Sequence, residues 1–259
     1  MSRERSRGAL TALVCVLLLA AGCSSSGTEA PGEGPSRGGA SALAGDPQVL
    51  QDVVDASFTV PGRAQLRRIR VERFVRGWGI ERCGGKAPPL DGTADRFEQA
   101  LYPDLDLIRR KGINESVEKI DYGREDCQVG DQIGKRMRSF WDWAKLAIPW
   151  DEVTQTVVQD ASLVPVKEAM ATCLRDRTGL EVSDDDPAGS FMGSVDRSFL
   201  LSDSVAKMMD YSVAFADCGE DYYAALRRLL EKKRPALIER HREVLEKFAT
   251  ELVELGYVP

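Results

Sequence analysis

The chain has 259 residues, 43% of them hydrophobic, with 35 Lys and Arg against 41 Asp and Glu and a formal net charge of −6. That length suffices for one large or two small domains with a real core. The acidic balance favours solubility and excludes general nucleic-acid binding, which needs a basic surface.

At the start of the chain Arg3, Arg5 and Arg7 precede an apolar run from Ala9 to Ala21, which is the charge and hydrophobic order of a secretory signal. The run is shorter than the roughly 20 apolar residues that span a bilayer, and no second run of spanning length follows. Ala20, Ala21 and Gly22 are small enough for a signal peptidase and stop directly at Cys23. This LLLAAGC segment resembles the lipobox of bacterial lipoproteins. In that family the cysteine thiol receives a diacylglycerol group and the signal is cut before it. The resemblance implies that residues 1–22 are a lipoprotein signal peptide, that Cys23 is the lipidated first residue of the mature protein, and that this lipid anchors it to the extracytoplasmic face of the cell membrane. Ala20 stands where Leu is commonest, but small aliphatic residues are tolerated there. Without Arg3, Arg5, Arg7 and Glu4 the mature chain keeps 32 basic and 40 acidic residues, a formal charge of −8.

Residues 24–45 are rich in Gly, Ser, Ala and Pro and have almost nothing large to bury, so they read as a flexible tether behind Cys23. A random coil of that length spans about 25 Å on average, enough to lift a domain clear of the headgroups. The helical domain is expected over residues 46–259. Asp46 and Pro47 read as a helix cap and first position, followed by Val49, Leu50, Val53 and Val54 at helical spacing, and Val60-Pro61-Gly62 ends that element. From Arg63 to Trp78 an apolar set fits one broad helical face, which assigns the six arginines to a solvated one. Their functional reading is a basic patch for acidic lipid or wall polymer. Gly79 to Gly92 loses periodicity and reads as a loop holding Cys83.

Helical signals then resume. Asp104 to Lys111 stops at Gly112. Val129, Ile133, Met137, Phe140 and Ala144 recur at three and four until Pro149 interrupts them, and Asp151 is expected to cap a short helix after it. Leu163 to Leu174 makes a helix closed by Gly179, and Asp203 to Cys218 repeats the pattern. The last and longest signal runs from about Tyr222 to Gly256, with Leu226, Leu230, Leu237, His241, Val244, Phe248 and Leu252 along one seam. Pro235 is expected to kink or split it.

Four cysteines remain in the mature fold: Cys83, Cys127, Cys173 and Cys218. Outside the membrane an even count reads as disulfides, with three connectivities open. The nearly equal spans from 83 to 127 and from 173 to 218 favour pairing within each half. None of the four lies in a CxxC, which disfavours zinc.

Signals for chemistry are thin. His241, the single histidine, sits on a charged helix with no nucleophile motif near it and reads as a packing residue. The acidic stretch Ser183 to Gly189 lacks ligands where a calcium loop needs them, Ala188 and Val195 standing in their place, and reads as a solvated loop. Trp141 and Trp143 diverge by about 200° on a helix and cannot form one stacking platform. No cofactor or metal is expected.

The sequences around Ala171-Thr172-Cys173-Leu174 and Ala216-Asp217-Cys218, in helices behind a Ser/Gly tether, resemble the uncharacterised helical lipoproteins of high-GC Gram-positive bacteria. That likeness implies a cell-surface location and a disulfide-bonded helical fold, and it implies no reaction. The fold class expected is therefore all-α, a multi-helix domain with a long C-terminal helix, stapled by disulfides. The favoured function is a binding or interaction module for a protein, cell-wall polymer or small ligand. The alternative is a surface hydrolase working through paired carboxylates.

Overall fold

Pro47 presets the helical backbone and Asp46 accepts the Gln48 N–H at 2.8 Å, so the first helix, α1 (Pro47–Ser57), starts where its cap lies. The computed structural model describes residues 46–87, 89, 96–113, 121–200 and 205–259, and all of these belong to one compact unit. Cys23, the signal segment and the tether lie outside the described residues. Among those that are described, every regular element is helical and none is a strand.

The second helix, α2 (Arg63–Arg82), runs past the loop expected from Gly79, so Cys83 is its C-cap. Ile69 and Ile80 are buried on one side of it and Val71 and Val75 on the other, roughly half a turn apart. The helix therefore has no single solvated face, because it packs between α1 and α5 (Val129–Arg136). Gly79 is what lets α5 approach: a Cβ there would stand 2.8 Å from the Ile133 side chain and 2.9 Å from that of Val129. The arginine stripe is correspondingly engaged. Arg67 binds Asp55, Arg68 pairs with Glu72 at 2.8 Å, Arg73 donates to the Pro89 carbonyl at 2.7 Å, and Arg76 bonds the Tyr122 hydroxyl.

Next come α3 (Arg96–Leu101) and α4 (Leu105–Lys111). The latter is capped by Asp104, which accepts the Leu107 N–H at 2.9 Å, and stopped by Gly112 at φ 81°. The continuous helix expected from Val129 through Ala144 is instead two, α5 and α6 (Phe140–Ala144), and α7 (Ala147–Val158) follows them. The first break falls before Ser139, whose backbone N–H donates to the Glu251 carboxylate at 3.1 Å and so cannot serve a helix. Pro149 interrupts nothing. It is the third residue of α7, where an N–H would have no intrahelical partner to lose, and Asp151 thus lies inside α7 rather than capping it.

A 3-10 turn at Ala161–Leu163 leads into α8 (Val164–Thr178), which ends at Gly179 in the left-handed conformation, φ 70°. After α9 (Pro187–Leu200), the 36-residue α10 (Val205–Arg240) joins the two helices expected before and after residue 220. Pro235 stays inside it. Packing explains this, because Leu230 and Leu237 are both buried across the proline and outweigh the one backbone hydrogen bond that it removes. The chain breaks at His241 instead, the N-cap of α11 (Arg242–Glu254). The core is continuous, with Trp143 of α6 stacked on Phe248 of α11 at 4.2 Å and Phe191 of α9 on Phe215 of α10 at 5.6 Å.

Two disulfides close the fold. Cys83 pairs with Cys127, tying the end of α2 to the segment before α5, and Cys173 pairs with Cys218, tying α8 to α10.

Candidate functional site

Buried carboxylates are uncommon, and α1 carries two. Asp52 and Asp55 are each only 1% exposed and, three residues apart, share one helix face. Asp55 accepts from Arg67 of α2 and, on its other oxygen, from Arg234 of α10. Asp52 accepts the Tyr257 hydroxyl at 2.7 Å, and the Arg67 Nε lies 3.9 Å from its second oxygen. Tyr257 reaches it from behind α11, past Gly256 at φ 86°, with its ring edge-on against Phe74 of α2 at 5.1 Å. Four parts of the chain converge on this polar cluster: α1, α2, α10 and the C-terminal segment.

Burial is the largest influence on Asp52 and pushes its carboxyl above the ordinary range. The Tyr257 hydrogen bond and the positive fields of Arg67 and Arg70 pull it back only in part. Burial and the neighbouring Asp52 push the Tyr257 hydroxyl far up as well, so it stays protonated and donates. Because the folded-state value of Asp52 exceeds its unfolded one, its stabilising contribution is fully present below the usual 3.8 and is lost as pH rises through the folded-state value. Asp52→Asn keeps an acceptor for Tyr257 and removes that loss. Its stability relative to wild type should therefore improve as pH rises across that window. Urea midpoints at several pH values between about 3 and 7 check this, and a difference that stays flat or shrinks with pH would refute it.

Beside the cluster, Asp46, Pro47, Gln48, Gln51, Asp52 and Arg67 line an open groove of about 510 Å³ where the helical domain begins. Its polar side chains can hold a ligand by hydrogen bonds and charge. They do not combine a nucleophile with a base, and Asp55 next to them is committed to two guanidinium groups.

The residues singled out from sequence are dispersed. Cys83, Cys127, Cys173 and Cys218 form the two disulfides, and Cys23 is outside the described residues. His241 is half-buried at the junction of α10 and α11, with its ring 6.4 Å from the buried Phe58, a packing position. Trp141 is 42% exposed while Trp143 and Trp150 are buried, the latter donating to the Thr59 carbonyl at 2.9 Å, so the tryptophans make no shared platform. In the exposed acidic loop Asp184 pairs with Arg175 at 2.9 Å and Asp186 caps α9 through the Gly189 N–H at 3.0 Å. A further ion cluster lies beside the second disulfide, where Arg177 and Arg109 bond Asp217 at 2.9 and 3.0 Å and hold its carboxyl below the ordinary range.

Sequence reasoning missed Asp52, Asp55, Arg234 and Tyr257. One signal for the first was available: Asp52 falls in the Val49–Val53 stripe of α1, where an unpartnered carboxylate would be costly. Compared with protein-family models, curated proteins and solved structures, the chain matches none.

Proposed function

We propose that the protein is a lipid-anchored, extracytoplasmic helical module, held to the membrane through Cys23 and presenting residues 46–259 on a tether to bind a protein, a cell-wall polymer or a small polar ligand. The observation that carries this reading is the pairing of all four cysteines downstream of Cys23 in two disulfides. Such bonds persist in oxidising compartments outside the cytoplasm, which is where the LLLAAGC segment would deliver the chain. The open groove next to Arg67 supports binding rather than turnover. The hydrolase alternative is disfavoured because Asp52 and Asp55, the buried carboxylate pair, are taken up by Tyr257 and by two arginines.

Mass spectrometry of the protein expressed from its full-length sequence tests the anchor. The N-terminal peptide should begin at Cys23 and carry a diacylglyceryl mass. Cys23→Ser should lose that mass, and protease added to intact cells should degrade the wild-type domain. An unmodified Cys23, or a domain shielded from protease in intact cells but not after lysis, overturns the proposal.

A further inference from the structure

Gln65, on the first turn of α2, is 2% exposed, yet among the described residues neither its side-chain oxygen nor its side-chain nitrogen has a hydrogen-bond partner. Leaving an amide's donor and acceptor unmet in an interior forfeits their solvation in full, and native proteins keep such a group where something other than the chain meets it. Gln65 lines a small, partly open cavity between α2 and α4. Its other walls include Gln99 and Asp104, which are polar, and Leu66, Ile69 and Leu107, which are not.

We infer that this cavity is a binding site for a single water molecule, held by the Gln65 amide. Size and chemistry select the ligand together. The cavity volume is about 10 Å³, which is about the space that one water needs. The Gln65 side chain presents both donors and an acceptor. A metal cation or ammonium would meet the oxygen alone and a halide the nitrogen alone, whereas water accepts and donates. Gln99 and Asp104 supply further polar atoms in the same wall, giving the two or more partners that a buried water requires.

The position gives the site a structural role. The Gly62 N–H donates to the Pro103 carbonyl at 2.7 Å just before Asp104 caps α4. A water on Gln65 thus adds a second link between the start of α2 and the start of α4.

Nuclear magnetic resonance on the ¹⁵N-labelled protein tests this. The Gln65 side-chain amide protons should show a rotating-frame Overhauser effect to water with the sign of direct dipolar contact. Absence of the effect in folded wild type overturns the inference. So does a shift of the Gln65 resonances on titration with ammonium or chloride in place of a water contact, because an ion would then be the occupant.

Discussion

Asp55→Ala should lower the unfolding free energy by about 3–5 kcal/mol, the range found when one partner of a buried ion pair is removed and the other is left uncompensated. The side chain left behind is Arg234, only 14% exposed, and it faces the empty end of a bond that held α10 to α1. Arg67 suffers less, since at 37% exposure water can take over its guanidinium. For a domain of this size such a loss corresponds to a fall in melting temperature of about 10 °C. Denaturant titration of wild type and variant measures it. A cost under about 1 kcal/mol would mean that Arg234 finds solvent or another acceptor, and the cluster would not be the clasp described above. Asp55→Ala combined with Arg234→Met should recover much of the loss, because no buried charge then stands alone.

Replacing Cys173 and Cys218 together with alanine should cost about 4 kcal/mol in the chain-entropy model, since the bond closes a span of 45 residues. The same holds for Cys83 and Cys127 with their span of 44. Paired alanines leave no lone thiol free to mispair. With native stabilities commonly about 5–15 kcal/mol, reduction of both bonds should leave the domain near the edge of folding. Urea unfolding with and without reductant, alongside peptide mapping of the oxidised protein, checks both size and connectivity. An unfolding midpoint insensitive to reductant, or a peptide linking Cys83 to Cys173, would contradict the prediction.

The sequence was most legible where structure is local. The cap at Asp46 and the stops at Gly112 and Gly179 are matters of a few neighbouring residues, and each falls where its chemistry places it. The pairing of the cysteines was also readable, since equal spans favoured the pairs that form. The hydrophobic stripes sufficed to establish helix and exclude strand among the described residues, because the 3.6-residue period is written into the chain itself.

Proline and burial were less legible, for the opposite reason. Pro149 and Pro235 carry the same local signal, yet the first merely sits in the opening turn of α7 and the second lies within α10, held on both sides by core leucines. The six arginines between Arg63 and Trp78 read as one solvated face, but α1 and α5 pack against α2 and several of them bond neighbouring residues instead. The candidate site itself depends on partners that no local pattern specifies: Asp55 meets Arg234 across 179 residues and Asp52 meets Tyr257 across 205. Sequence alone thus determined the helical class of the described residues and several helix ends, and it favoured the cysteine pairs that form. Only the tertiary structure decided which charges are buried together, since the choice of partner for a buried carboxylate depends on the packing of distant helices and not on the residues beside it.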